Sequence, residues 1–194
     1  MIVITSFKNL TIDYIEKFIL SNYDAIYKSL NTKPPLASNT LHFLGKEYSL
    51  AIFDAKYDLV YAQDNSIYVY TKNNNFQYIK SLIHTFYATE IEKIVKNELP
   101  NINIKFNISF PVIFDYKNVS TYFGECFPKR RKIILATKLA KYDPIYIKSV
   151  IYHEYAHFFY NNHQNEFYNL LEKVFPNYKM IQKNLRKIKY NDIY

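Results

Sequence analysis

The stretch HEYAHFFYNNH, residues 153–163, decides how this chain is interpreted because it holds a glutamate and three of the five histidines within eleven positions. His153 and His157 are four residues apart, so a helix places both imidazoles on one face. Glu154 lies about 100° around the same helix from His153. From there its carboxylate can hold a water molecule on a metal ion bound by the two histidines. The spacing predicts a helix that carries two zinc ligands and a catalytic base.

A catalytic zinc takes three protein ligands and leaves one position for water. His163 is the candidate for the third ligand, but on a straight helix it would lie about 15 Å along the axis from His153, whereas Zn–N bonds are about 2 Å. The helix must therefore end between His157 and His163. Asn161 and Asn162 occupy that interval, and Asn readily adopts the left-handed conformation that closes helices. We predict that the helix ends at or near Asn161.

The alternative interpretation is that these are ordinary histidines, buried or on the surface of a helix. The chain holds five histidines in 194 residues, so a chance HExxH with a third His six residues later is improbable, which favours zinc. The single cysteine, Cys126, excludes an intramolecular disulfide and is interpreted as a small buried hydrophobic residue. His42 and His84, the two remaining histidines, are predicted to be structural.

The composition is that of a protein with one hydrophobic core. At 194 residues, 49% of them hydrophobic, the chain suits a single domain over residues 1–194. We predict no membrane span, because no run of about 18 uncharged apolar residues occurs, and the start MIVITSFKNL lacks the features of a signal peptide. A soluble, cytoplasmic protein is expected. The net charge of +8 accompanies a general abundance of Lys, Asn, Ile and Tyr, so it supports an anionic partner only weakly.

Hydrophobic periodicity changes several times between the helical and the strand-like kind along the chain. A first helix is predicted within residues 9–30, and Pro100 is predicted to end the second long helix. Short alternating segments before that helix predict a small antiparallel sheet with turns near Gly45, Asp54 and Asp64-Asn65. Because strands and helices do not follow a βαβ rhythm, the predicted fold class is α+β, with a small antiparallel or mixed sheet packed on helices. The predicted segments are a helical and strand-containing first part (1–75), a central helix (76–99), strands (102–139), and the active-site helix with C-terminal helices (144–194).

The sequence HEYAHFFYNNHQNEFY, residues 153–168, resembles the signature of the YgjP-like metallopeptidase domain family. That signature is usually seen as HELAH, a short linker, Asn-His-Ser and then Phe-Trp. Asn162 and His163 match its Asn-His element, and Phe167 matches the Phe of the last pair, with Tyr168 in place of Trp. Upstream, YFGEC at residues 122–126 is similar to the family's Arg-Trp-Gly-Ser-Cys stretch.

The resemblance implies a zincin-type fold that binds one Zn²⁺ per chain through His153, His157 and His163. It further implies a zinc metallopeptidase that hydrolyses peptides or proteins with metal-activated water and with Glu154 as general base. The metzincins share the spacing of the three histidines, but they have Gly where this chain has Tyr160, and they add a Met-containing turn beneath the metal. The resemblance to the YgjP-like family is therefore preferred.

The predicted substrate-binding residues are Phe123, Gly124 and Glu125. Without a side chain, Gly124 would let a peptide backbone approach the strand closely. The alternative is a glycine that is needed only for a bulge. Glu125 and Phe123 depart from the Ser and Trp of the family stretch, and Glu125 adds a charge beside the cleft. A group that stabilises an oxyanion is also expected. The candidates for it are Tyr122, Tyr155 and Tyr160.

Two basic segments are not explained by this interpretation: NYKMIQKNLRKIKY at residues 177–190 and KRRK at residues 129–132. The favoured interpretation is an amphipathic helix and a turn, both with solvated charges. The alternative is a surface that binds nucleic acid. The competing function is therefore a zinc-stabilised binding module, associated with nucleic acid through its basic surface and with little or no peptidase activity. The sequence leaves the oligomeric state open.

Overall fold

The computed structural model describes residues 40–190, and the helix predicted within residues 9–30 lies outside them. The described part is an α+β structure with two small mixed sheets and four α-helices among residues 40–190. This agrees with the predicted fold class. None of the helices in this range is long and apolar enough to cross a membrane.

The first sheet contains four strands in the order β1-β2-β4-β3. The strands are β1 (Thr40–Phe43), β2 (Lys46–Asp54), β3 (Leu59–Gln63) and β4 (Ser66–Thr71). The expectation of an antiparallel sheet is wrong in one place, because β2 and β4 run parallel. β4 lies between two strands and is covered on both faces. Ile67 and Val69 enter the main core, and Tyr70 joins a second cluster on the opposite face.

The turns of this sheet fall where the polar residues and the glycine predicted them. Leu44 and Gly45 join β1 to β2, and both have positive φ, 48° and 80°. Asp64, with φ 53°, begins the turn between β3 and β4. Asp and Gly tolerate this left-handed conformation better than most residues. Local sequence therefore determines the turns, although it did not reveal the order of the strands.

Helix α1 spans Phe76–Phe106 and begins at Asn75, whose side chain accepts hydrogen bonds from two backbone N–H groups of the first turn. The prediction that Pro100 ends this helix is wrong, and the strands predicted over residues 102–139 begin only at Ile113, because residues 102–106 belong to the helix. A proline inside a helix costs about 3 kcal/mol. Ile102 and Phe106 are 0% and 4% exposed, and burying such side chains contributes about 1.5 to 3 kcal/mol each, which offsets that cost. The helix instead closes at Asn107, with φ 52°.

The second sheet has three strands in the order β5-β7-β6. They are β5 (Ile113–Lys117), β6 (Gly124–Phe127) and β7 (Lys132–Ala136), with β5 parallel and β6 antiparallel to β7. A short 3-10 turn at Pro128–Arg130 joins β6 to β7. Among the described residues, β6 is an edge strand, with one side unpaired.

Three helices follow the second sheet: α2 (Pro144–Ala156), α3 (Asn165–Val174) and α4 (Tyr178–Leu185). Asp143 caps α2 by accepting from the backbone N–H of Ile145, and Pro144 occupies the first helical position as expected. The turn between β1 and β2 is hydrogen-bonded to the residues that precede α2. The N–H of Leu44 donates to the carbonyl of Ala140 at 2.7 Å. The first sheet therefore fixes where α2 begins.

Candidate metal centre

Helix α2 ends at Ala156, earlier than predicted, and a tight turn follows it. The N–H of Tyr160 donates to the carbonyl of Ala156 at 3.0 Å. Neither Asn161 nor Asn162 is among the described residues with positive φ, so the predicted role of the Asn pair is wrong. His157 explains the difference, because its Nδ1 lies 2.9 Å from the carbonyl oxygen of Tyr160 and holds the turn instead. The helix nevertheless ends before His163, as the metal site requires.

The three histidines of the motif come together. The potential ligand atoms of His153, His157 and His163 all lie within 4.8 Å of one another. The closest pair is Nε2 of His163 and Nε2 of His153, which are 3.0 Å apart. Three imidazole nitrogens at such separations can bind a single ion. Among residues 40–190, this convergent group contains only the three histidines and leaves out Cys126.

Two of the rings are held through the nitrogen that faces away from the centre. A carbonyl oxygen only accepts, so Nδ1 of His157 carries the proton that it donates to Tyr160. In a neutral ring this leaves Nε2 with a free lone pair. Nδ1 of His153 lies 2.5 Å from the hydroxyl of Tyr178, a residue of α4 that is 2% exposed. Outer partners of this kind orient metal-binding histidines.

Phe167 forms the base of the cluster. This residue of α3 is fully buried, and its ring centroid lies 4.9, 4.8 and 4.7 Å from those of His153, His157 and His163. The apolar ring fixes the three imidazoles without offering them a polar partner. Phe167 was noted only as a match to the family signature, and Tyr178 was missed altogether. No local pattern distinguishes Tyr178 from the other tyrosines of a chain that contains 21.

The electrostatics of the cluster favour neutral imidazoles. Burial, followed by the neighbouring His157 and His163, lowers the pKa of His153 to about 3. Burial also lowers the pKa of His163. A metal binds the neutral form of imidazole, so both shifts keep these side chains ready to bind near neutral pH.

Glu154 follows the first histidine and points into the protein. It is only 4% exposed, and burial, with a smaller contribution from the charge of Glu125, raises its pKa to about 8. Both causes disfavour the carboxylate. A cation bound by the adjacent histidines would act in the opposite sense and favour the carboxylate.

Gly124 lies directly against Glu154. A Cβ at Gly124 would stand 2.6 Å from Oε1 and 2.8 Å from Cγ of Glu154, closer than side-chain atoms can approach. Gly124 does not have a positive φ, so the backbone conformation does not demand glycine here. The reason for glycine is the approach of the carboxylate, and a bulge is not required to explain it.

An open cleft of about 330 Å³ lies beside the histidines, and β6 forms one wall of it. Gly124, Glu125 and Cys126 line this wall. Phe123 is not among the lining residues, because its ring packs against Tyr142 at a centroid distance of 5.3 Å. The structure thus brings two of the three predicted substrate-binding residues to the cleft. Burial, followed by the charge of Glu154, raises the pKa of Cys126 to about 12, which keeps the thiol protonated.

Contacts elsewhere in the fold hold Tyr155, His84 and His42 away from the site. Tyr155 is fully buried and donates its hydroxyl to Asn103 at 3.1 Å, so it does not serve the cleft. His84 hydrogen-bonds the hydroxyl of Thr137 at 2.8 Å. His42 stacks on Tyr190, with their ring centroids 4.0 Å apart. The structural interpretation of both histidines therefore agrees with their positions.

Comparison with known proteins adds one assignment. A search of the curated proteins finds no match to this chain. A solved structure, the metallopeptidase zymogen jannalysin of Methanocaldococcus jannaschii, is similar with 24% identity and a TM-score of 0.42, over 50% of this chain and 94% of that one. The model of the YgjP-like metallopeptidase domain family matches residues 1–188, nearly the whole sequence. The chain therefore belongs to the YgjP-like metallopeptidase domain family.

Proposed function

We propose that this protein is a zinc-dependent peptidase that hydrolyses peptide bonds. His153, His157 and His163 would hold one zinc ion, and Glu154 would act as the general base. The observation that carries the proposal is the convergence of three imidazoles beside a buried carboxylate in an open cleft. Membership of a metallopeptidase family supports the same reaction class.

The donor set suits zinc better than magnesium or calcium. Zinc accepts imidazole nitrogen, whereas the harder cations prefer oxygen ligands. Binding through Nε2 of His153 requires the ring proton to be on Nδ1. From there the N–H can donate a hydrogen bond to the hydroxyl oxygen of Tyr178. When bound, zinc would supply a Lewis acid that lowers the pKa of its water toward about 7.

Glu154 would move the protons of the reaction. As a carboxylate it accepts a proton from the attacking water, and it then donates that proton to the nitrogen of the leaving amine. Its position one residue after His153 holds the carboxylate beside the histidines, and Gly124 presses against its other side. Because Glu154 is almost fully buried, little bulk water competes for this proton.

The unpaired side of β6 offers a place for the substrate backbone. An extended peptide can add to an exposed strand edge through main-chain hydrogen bonds. Gly124 and Glu125 would contact the peptide, while Phe123 would anchor the strand by accepting from the N–H of Ala136 at 2.8 Å. Of the three residues predicted to bind substrate, Gly124 and Glu125 would thus contact the peptide, and Phe123 would support the strand.

A mixed peptide library, incubated with the zinc-loaded protein and followed by mass spectrometry, tests this function. We expect cleavage that stops on chelation and in Glu154→Gln, with one zinc per chain retained in that variant. Full activity in Glu154→Gln would contradict the role of Glu154. Steeply salt-dependent nucleic-acid binding without cleavage of any peptide would instead favour the binding module.

A further inference from the structure

A second cavity extends the cleft along the turn that follows β6. It measures about 370 Å³ and shares Cys126, Pro128 and Asn161 with the cleft beside the histidines. Phe127 and Pro128 give it apolar surface, and Lys129 and Arg130 line the same space. An apolar wall with two cations is complementary to a short aliphatic chain that ends in an anion.

The four basic residues of the turn divide into two pairs. Lys132 forms an ion pair with Asp115, and Arg131 lies over the ring of Phe110, 4.8 Å from its centroid. Lys129 and Arg130 have no ion pair with any residue in the part of the chain that the structure describes. Within residues 40–190, the second pair therefore has no anionic partner, and both of its residues border the cavity.

We propose that this cavity is a subsite for an acidic side chain of the substrate, glutamate above all. The proposal rests on the proposed peptidase function and names its substrate class. The two methylenes of glutamate would pack on Phe127 and Pro128, and its carboxylate would pair with Lys129 and Arg130. Asn161, which also lines the cavity, offers an amide donor to the same carboxylate.

The position of the subsite relative to the scissile bond follows from the direction of β6. The strand runs from Gly124, beside Glu154, to Phe127, beside the cavity. A peptide that adds antiparallel to this edge, the more stable arrangement, has its amino-terminal side at the Phe127 end. With a rise of about 3.3 Å per residue, the acidic side chain would precede the scissile bond by one to three residues.

The charges along the cleft agree with this direction. Glu125 lines the cleft beside the histidines together with Glu154, at the Gly124 end of the strand. An acidic side chain placed there would be repelled, whereas the Lys129 and Arg130 end attracts it. The cleft is therefore negative at one end of β6 and positive at the other. This difference in charge selects the register in which an acidic peptide binds.

Peptide pairs that differ by Glu or Gln, at each of the three positions before a mapped cleavage site, test the proposal. We expect kcat/KM to be about three- to thirtyfold higher for Glu at one of these positions, with the ratio falling as salt is added. In Lys129→Gln/Arg130→Gln the ratio should approach one. In Lys129→Glu/Arg130→Glu the ratio should fall below one, and a third peptide with Lys at the same position should be cleaved with a higher kcat/KM than the Gln peptide.

The matched control is Lys56→Gln/Lys72→Gln, which removes the same charge from exposed positions in or beside the first sheet. This control should keep the wild-type Glu preference. Equal kcat/KM for Glu and Gln peptides in the wild-type protein, or an unchanged preference after the charge reversal, would overturn the subsite while leaving the peptidase function intact.

A peptide-binding measurement tests the subsite independently of peptide cleavage. The zinc-loaded Glu154→Gln protein, titrated into fluorescently labelled Glu and Gln peptides, should bind the Glu peptide more tightly by a similar factor, and the Lys129/Arg130 variants should lose that difference. If no peptide is cleaved by the wild-type protein but this preference is present, the peptidase proposal fails and the subsite stands. If both are absent, both fail.

Discussion

The two glycines of the chain serve different purposes in the two halves of the described structure. Gly45, in the first sheet, has φ +80°, so its backbone conformation favours glycine. Gly124, in the second sheet, has no such φ, and the carboxylate of Glu154 occupies the space where a Cβ would lie. One glycine is required by the path of its own chain, and the other by a side chain 30 residues away in the sequence.

The two glycines lie in two halves of the described structure, which we call the scaffold half and the cleft half. The scaffold half, residues 40–106, holds the first sheet and α1, and the turn at Gly45 abuts Asp143 at the start of α2. The cleft half, residues 113–185, holds the second sheet and α2 to α4, with Gly124 against the far end of α2. We therefore expect changes in the scaffold half to alter stability, and changes in the cleft half to alter chemistry.

The largest effect is expected from Gly124→Ala. The added Cβ would displace the carboxylate of Glu154, and a displacement of about 1 Å in a catalytic group can cost about a hundredfold in rate. We expect kcat for a cleaved peptide to fall by about that factor, with zinc still bound, as measured by steady-state kinetics and metal analysis. Wild-type kcat in Gly124→Ala would mean that the position of Glu154 does not limit the reaction.

A smaller effect in the same half is expected from Tyr178→Phe. The change removes the hydroxyl that lies 2.5 Å from Nδ1 of His153, and loss of such an outer partner weakens metal binding by about 10- to 100-fold. Competition with a fluorescent chelator measures the zinc affinity. Tyr155→Phe is the matched control, because it removes another buried hydroxyl whose partner is Asn103. Equal zinc affinities in the two variants would contradict an orienting role for Tyr178.

Gly45→Ala should change stability without changing the reaction. The substitution places a Cβ at φ +80° and 3.0 Å from Cβ of Asp143, and strain of this kind costs about 1 to 3 kcal/mol. Urea titration should show that decrease in the free energy of unfolding, while kcat stays within about twofold of wild type. A large loss of kcat at unchanged stability would show that the scaffold half shapes the cleft directly.

A pH dependence of stability is expected from His84, on α1 of the scaffold half. Burial, together with the charges of Lys80 and Lys141, lowers the pKa of His84 from 6.5 to about 4. Between these pH values the unfolded state binds the extra proton and the native state does not, so stability falls as the pH falls from 6.5 towards 4. Urea titrations of the metal-free protein should show a shallower decline in His84→Gln than in wild type. Parallel declines would contradict this assignment.

Sequence reasoning succeeded where the interaction is local. The spacing of His153 and His157 follows from the geometry of one helical turn. The turns at Gly45 and Asp64 follow from the φ angles that these residues tolerate. In each case the partners are close in the chain, so the pattern contains its own explanation.

Sequence reasoning failed where distant residues decide. Pro100 was expected to end α1, but packing of the following turn keeps the helix intact. The end of α2 is a local exception: the Asn pair after His157 was expected to close the helix, but the carbonyl of Tyr160, only three residues after His157, binds its ring and closes the helix earlier. The parallel pairing of β2 with β4 depends on which strand lies in the middle of the sheet. The alternation of apolar and polar residues in one strand does not indicate which strand will lie beside it.

The sequence by itself determined the family, the α+β class and the three histidines with their neighbouring glutamate, because motif spacing and hydrophobic period are properties of contiguous residues. Only the tertiary structure decided that Tyr178 orients His153, that Phe167 lies beneath the cluster, and that Gly124 makes room for Glu154. These contacts join residues on different helices and strands. Their partners are set by how the elements pack, and no local pattern encodes that packing.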